Sequence, residues 1–461
     1  MKKSINFSKL TKGYEKDMLA NLKSFIAIDS VHDESTVSRE NPFGQGVTNA
    51  LKFFENLARK DGFKVTNYDN KVVEAIFGEG EKNITIMAHA DVVPVGTGWD
   101  QDPFEMVEKK GVVYGRGVAD DKGPLMSCYY GLLALKDNNL LGNYQVRFLV
   151  GGNEERGSLC MEHYFHTLKK KAPTYGFSPD SNFPVVFAEK GIFNFIAKKK
   201  INVPGLISIE GGVAFNSVIE KCVIKYEIND DIIPFVTTNF PDAEVKTVDD
   251  IVTITFKGLA AHGSTPQLGV NAGMKALDFL ARYSKNKDIE KAVDCFSDVY
   301  GKGVNAVGYS KDMGQNSLNV GLISYDGNEL TIVVNFRFVE TCEENELKKN
   351  ITNACKPFIV TFTLTSPLLY FEKDSPLIST LVNAYREETG DKVSQPLALG
   401  GGTYAKETSN TVAFGLEFPG WNSKMHSVGE QIKVDALKQG MSIYARAIYD
   451  LGKLIEDENK I

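Results

Sequence analysis

Apolar residues recur at helical spacing in MLANLKSFIAI, residues 18–28, where Leu19, Leu22 and Ile26 share a face. VTNALKFFENLARKDGF, residues 47–63, predicts a second helix, closed by Gly62 as its C-cap. Runs suited to buried strands follow at 72–77 and 84–88, then a helix over 124–137 and a strand over 145–150 (QVRFLV). Strands alternating with helices in this way predict an α/β sheet with helices on its faces.

The texture changes near residue 190. From GIFNFIAKKK to about residue 365, strands alternate with longer helices. IVTITFK, residues 251–257, puts Val252, Ile254 and Phe256 on one face and Thr253, Thr255 and Lys257 on the other. TIVVNFRF, residues 331–338, alternates likewise, with Arg337 on its more polar face. Such strands form a sheet covered on one side, and a helix over 272–284 supplies a cover. Helical and loop segments return after about residue 373. The expected fold class is therefore α/β. A discontinuous α/β/α domain on a mixed sheet, residues 1–190 and 373–461, is interrupted by an inserted α+β domain, residues 191–372. No repeats or low-complexity tracts occur.

At 461 residues, two domains are the default. A formal net charge of −7 argues against a nucleic-acid or anionic-membrane partner, which would want a basic face. The opening MKKSINFSKLTKGYEKD has no apolar stretch behind its lysines, so no signal peptide is expected. No run approaches the length of a membrane span. Six scattered cysteines without a C-x-x-C pair suit reduced thiols in the cytoplasm.

With only six histidines, each can be weighed. In MAHADVVP, residues 87–94, a strand ends on His89 with Asp91 on the same face. Open α/β sheets bind ligands beyond the carboxyl ends of their strands, and imidazole with carboxylate suits zinc-type cations. Alone, such an H-x-D is equally a turn or a satisfied polar pair. GRGVADDKGP, residues 115–124, puts Asp120 and Asp121 at a helix start, where capping is the plainer explanation. It lacks phosphate-loop spacing. GGNEERG, residues 151–157, follows a strand, so Glu154 and Glu155 point apart: one suits a metal and the other a water, or both sit in an exposed acidic loop. Asp180 in SPDSNFP and His426 in MHSVGE are unremarkable singly. As a set, His89, Asp120, Glu155, Asp180 and His426 suit two metals sharing one carboxylate. His32, in a polar loop, and His163 and His166, on a solvated helix face, need no function. His262 lies in GLAAHGSTPQLGVNAG, a small-residue loop with nothing apolar to shelter it.

Together, M-x-H-x-D-V-V-P, G-R-G-x-x-D-D-K-G, N-E-E, S-P-D, A-H-G-S-x-P and the late M-H resemble the co-catalytic metallopeptidases that include carboxypeptidase G, succinyl-diaminopimelate desuccinylase, aminoacylase and carnosinase. GWDQDPF, FSPDSNFPVVFAEKGI and GGGTYAK resemble the PepV-like dipeptidase branch. The resemblance covers nearly the whole chain. It implies that Asp120 bridges two divalent cations, zinc first with manganese or cobalt as alternatives. His89 and Asp180 would complete one site, Glu155 and His426 the other. Glu154 would be general base and then acid, and Asp91 would hold the His89 ring. A cis peptide at Asp120–Asp121 is also implied.

In the insert, which the resemblance makes a lid, His262 would reach the scissile carbonyl oxygen while Asn216 and Arg337 bind substrate. The loop Gly400, Gly401, Gly402 and Thr403 would meet the substrate carboxylate. The implied function is hydrolysis of dipeptides by a metal-bridging water, in a cytoplasmic monomer whose partner is a small peptide. The alternatives are a metal-dependent N-acyl amino acid deacylase and a non-catalytic binding protein of the same fold. The five ligands and Glu154 argue against the last.

Overall fold

The computed structural model describes residues 5–458. Two compact units emerge. The first runs through Ala188 and resumes over Leu369–Ala398 and from Gly402. The second comprises Glu189–Leu368 with a short return, Leu399–Gly401. That return takes Gly400 and Gly401 out of the unit in which the sequence reading put them and leaves Gly402 and Thr403 there.

In the first unit a mixed sheet runs in the order Lys64–Tyr68, Val72–Phe77, Gln145–Gly151, Asn83–His89, Tyr175–Ser178, Thr411–Ala413, Val186–Glu189, Leu369–Tyr370. Val72–Phe77 runs antiparallel to both its neighbours, Lys64–Tyr68 and Gln145–Gly151. Asn83–His89 is parallel to both Gln145–Gly151 and Tyr175–Ser178. Register decides what this achieves. His89 stands beside Gly151, and Ile86 beside Phe177. Three parallel strands thus end at one edge, with His89, the Asn153–Glu155 turn and Asp180 all beyond it.

The helices Gln45–Lys60, Lys122–Asp137 and Val434–Glu458 pack on one face of this sheet. Phe54 meets Tyr129 and Phe148 with ring centroids 5.5 Å away in each case. Tyr444 stacks on Phe177 at 5.8 Å. Lys122–Asp137 is buried from Lys122 through Leu135, as an all-round apolar helix must be. Pro124 fits its first turn, where no amide donor is needed. The other face buries Arg147, an unexpected residue in QVRFLV. Its guanidinium donates to Thr85 Oγ1 at 3.1 Å, Asn83 Oδ1 at 2.8 Å and the Lys171 carbonyl at 2.7 Å. Those bonds offset the cost of burying it.

The second unit is an antiparallel sheet in the order Glu244–Val248, Ile251–Lys257, Lys221–Glu227, Leu206–Gly211, Ser317–Tyr325, Glu329–Phe338, Gly191–Lys200, Ile359–Ser366. Cys222, Ile224 and Tyr226 alternate inward on their strand, and Phe256 packs on Phe279 of the helix Ala272–Ser284. The expected alternation of residues 331–338 breaks after Val334. Asn335 and Arg337, on the polar face, are as buried as their apolar neighbours. Asn335 pairs with Asn194 and Asn319 on the flanking strands. Asn335 donates to Asn194 Oδ1 at 2.7 Å, and Asn319 donates to the carbonyls of Phe215 and Ser217, at 3.0 Å each. That face is covered by loop backbone, which a binary reading of one strand cannot anticipate. Among the described residues no helix is long and apolar enough to cross a membrane.

Gly151 tests the packing beneath the shared edge. A Cβ there would lie 2.3 Å from the Tyr404 hydroxyl and 2.8 Å from Cys160 Sγ. Gly151→Ala should destabilise the protein by about 1–3 kcal/mol, the usual range for overpacking, read as a lowered melting temperature by calorimetry.

Candidate metal centre

Each donor arrives by a local device. His89 ends its strand, the two glutamates follow Gly151 in a turn, and Asp180 follows Ser178. His426 sits in a turn with φ +60°, the left-handed region. Asp120 comes from the Gly-rich loop, and its peptide to Asp121 is cis. His89 Nε2 lies 3.0 Å from Asp120 Oδ1 and 3.5 Å from Asp180 Oδ2. His426 Nε2 lies 2.7 Å from Asp120 Oδ2 and 3.1 Å from Glu155 Oε1. Asp120 therefore turns one carboxylate oxygen to each imidazole. Two sets of donor atoms cluster within 4.8 Å: His89, Asp120 and Glu155, and His89, Glu154 and Asp180. Imidazole nitrogens with carboxylate oxygens are a donor set that fits zinc-type divalent cations.

Two expectations change. Asp91 holds the His89 ring chiefly through its backbone carbonyl, 2.9 Å from Nδ1, with its carboxylate 3.5 Å away. That carboxylate instead accepts the amides of Glu154 and Glu155, at 3.1 Å each, and so sets the turn that aims them. Asp121 stands at the N-cap position but makes no capping bond. Its carboxylate accepts the His89 amide at 3.0 Å, tying the loop to the strand end.

The electrostatics follow from burying acids together. Burial pushes Glu154 well above the ordinary carboxylate range, with Asp180, Glu155 and Asp120 adding to the rise against the opposing pull of His89. Burial, reinforced by Asp120, lifts Glu155 to about 7 despite its bond to His426. Burial alone would lower both histidines. Bonds to Asp120, Asp180 and Asp91 outweigh it and raise His89 well above its usual value, and bonds to Asp120 and Glu155 raise His426 to about 11. Asp120, held between the imidazoles, is driven down although burial opposes this.

The second unit gathers another group of the candidates. The Asn216 carbonyl accepts the Gly263 amide at 2.7 Å, and Ser217 bridges His262. His262 Nδ1 lies 2.6 Å from Ser264 Oγ. Arg337 donates to Asn335 Oδ1 at 2.9 Å and to the Gly400 carbonyl. Burial lowers its pKa to about 10. Thr403, in the first unit, caps the turn Tyr404–Glu407 by accepting the Ala405 amide at 3.2 Å, and Gly402 lies against the Lys406 side chain. His32 pairs with Glu34 at 2.9 Å and His163 with Asp69 at 3.1 Å.

Sequence reasoning missed three residues around these groups. Tyr404 sets its ring edge-on to His89, with centroids 6.1 Å apart, and its hydroxyl 2.9 Å from Cys160 Sγ. Lys190 donates to the Gln315 carbonyl, and burial followed by Arg337 lowers it to about 8. Glu430 is fully buried beside the Asp120 loop. Tyr404 and Glu430 both lay inside quoted motifs, GGGTYAK and MHSVGE, but on the flank of the residue that drew notice.

Residues 85–450 match the model of peptidase family M20/M25/M40. The chain belongs to that family. It is the dinuclear metallopeptidase family the motifs resemble, and the protein is a peptide-bond hydrolase. A Staphylococcus haemolyticus relative, provisionally named a dipeptidase, is 33% identical over 95% of this chain and 97% of its own length. Among solved structures, human carnosine dipeptidase 1 is 14% identical with a TM-score of 0.57, covering 97% of this chain and 99% of that one. A family M20 metallo-carboxypeptidase from Sulfolobus solfataricus is 17% identical with a TM-score of 0.59, over 94% and 99%. At such identities these two show the fold: a mixed α/β unit with an inserted α+β unit.

The pKa directions fix the sign of a pH effect. With histidines and carboxyl groups both raised, the cation-free fold holds protons that the unfolded chain releases near neutral pH. Its stabilisation from the histidine pairs is complete below the unfolded histidine pKa, about 6.5, and is lost as pH rises through the raised values. The raised carboxyl groups act in the same direction, against the opposite contribution of Asp120. A cation displaces those protons and binds the deprotonated donors. The melting-temperature gap between zinc-loaded and chelated peptidase should therefore widen from pH 5.5 to 8 in thermal melts. A gap that narrows with pH would contradict the site's protonation as described.

Proposed function

We propose that the peptidase is a dinuclear, PepV-like metallo-dipeptidase acting in the cytoplasm as a monomer. The observation that carries the reading is Asp120, with one oxygen toward each of two imidazoles. His89 and Asp180 would hold one cation with it, Glu155 and His426 the other, zinc fitting best and manganese or cobalt serving as alternatives. Bound there, divalent cations supply Lewis-acid polarisation of the carbonyl and a lowered pKa for water. Glu154, whose burial makes it a stronger base than an ordinary carboxylate, takes the proton of the attacking water and returns it to the leaving amine.

Asp91 and Asp121 keep the glutamate turn and His89 in place through backbone amides. His262 donates to the developing oxyanion, an interaction of the kind worth about 10²–10³ in rate. Arg337, with its planar fork, Asn216 and the Gly400–Thr403 segment receive the substrate carboxylate end. The name carried by relatives about one-third identical over nearly the full chain supports a dipeptide substrate.

Assay of zinc-loaded protein against dipeptides, tripeptides and N-acyl amino acids tests this. Dipeptides should be preferred, and a preference for acyl amino acids would replace the reading with a deacylase. Glu154→Ala should retain both cations and lose about 10²–10⁴ in kcat, whereas Glu155→Ala should also lose a cation. Turnover by cation-replete Glu154→Ala at the wild-type rate would remove Glu154 as the base. Mixing inactive His262→Ala with inactive Glu154→Ala should not recover activity. Recovery would mean that the histidine acts between subunits.

A further inference from the structure

Glu430 lies four residues beyond His426 and is completely buried, yet no chemistry so far requires it. Its surroundings are specific. Oε1 accepts three backbone amides, from Gly117 at 3.0 Å, Ala119 at 2.9 Å and Asp120 at 3.2 Å. Oε2 accepts Arg116 Nη1 at 2.7 Å. The Glu430 carbonyl accepts the Gly115 amide at 3.2 Å. Immediately downstream, Gln431–Lys433 pairs antiparallel with Val112–Tyr114, fixing the register in which Glu430 meets the loop. Arg116 is equally buried and extends the connection. Its Nη2 donates to the Pro94 carbonyl at 3.2 Å, and its guanidinium lies 5.5 Å from the Trp99 ring centroid.

One carboxylate and one guanidinium therefore tie together three chain segments remote in sequence. They are the strand end with His89 and Asp91, the loop with Asp120, and the turn with His426. We propose that Glu430 is a positioning residue, clamping the Asp120 loop to the His426 turn so that the cation held by Asp120, Glu155 and His426 finds its donors preorganised. The inference rests on the dinuclear reading.

The clamp acts unevenly. Asp120 serves both cations, but His426, whose side chain is 53% exposed and whose backbone is in the left-handed region, serves one. Its turn has little packing of its own to hold it. Loss of Glu430 should consequently weaken the second cation more than the first. Outer groups that orient ligands are commonly worth about 10–100-fold in metal affinity. Removing only the negative charge should already act, because the Gln amide weakens the bonds from the three N–H groups and leaves Arg116 buried without a counter-charge.

The test is zinc binding to full-length protein, by titration against a chromophoric chelator, with melting in chelator recorded in parallel. Wild type should bind two cations, and a different number would sink the dinuclear reading itself. Given two, Glu430→Gln should keep the first near wild-type affinity and weaken the second by about 10-fold or more. Excess zinc should then restore kcat without changing KM for a dipeptide. Glu430→Ala should show the larger effect, and if it does not fold, the Gln variant decides alone. Wild-type affinity for both cations in Glu430→Gln overturns the proposal. So does equal weakening of both cations alongside a melting temperature already lowered in chelator, because that pattern belongs to a residue that only supports the fold.

Discussion

The architecture of the first unit answers to the difficulty of collecting acids out of water. Asp91, Asp120 and Asp121 are buried, and Glu154, Glu155 and Asp180 stand close by, with two imidazoles among them. Like charges at such separations in a low dielectric cannot all persist bare. The chain resolves this by dividing its acids into two classes. Asp91, Asp121 and Glu430 accept backbone amides and so fix loops, although burial still raises Asp121 and Glu430 above the ordinary carboxylate range. Asp120, Glu155 and Asp180 face the histidines and stay dependent on protons or cations.

Position within the sheet makes the division possible. Parallel neighbours ending in register give three consecutive sources of side chains at one edge, and at two of those ends a carboxylate takes backbone amides. An antiparallel arrangement would send alternate strand ends to opposite edges. The inserted unit, antiparallel throughout, accordingly contributes no such cluster. Its candidates, His262, Asn216 and Arg337, come from loops and a covered strand face.

Much of this was legible in the sequence because chemistry and punctuation coincided. His89 and Glu154 each follow an apolar run whose end marks a strand end. Asp120 lies in a loop whose glycines announce a tight backbone. Helix Ala272–Ser284 and strand Ile251–Lys257 carry their period openly. What escaped lacked a local signature. Thr411–Ala413 is too short to display a period, although it stands inside the sheet between Tyr175–Ser178 and Val186–Glu189. Asp121 resembles a helix cap by position and differs only in where its carboxylate reaches. The asparagine row across three strands is visible only once Asn194, Asn319 and Asn335 are in register. Glu430 is one acidic residue in a polar turn until the fold brings Arg116 to it.

The place of Thr411–Ala413 also bears on biosynthesis. A ribosome delivers the chain from its amino terminus, and domains fold as units when their sequence is complete. The inserted unit can form its eight-stranded sheet from residues made before Thr411. The catalytic sheet cannot: its gap between Tyr175–Ser178 and Val186–Glu189 is filled only when residue 413 has emerged, and His426 comes later still. A nascent chain therefore carries a finished inserted unit before the sheet that holds His89 and Glu154 can close, and the order of synthesis makes that sheet the later of the two to form.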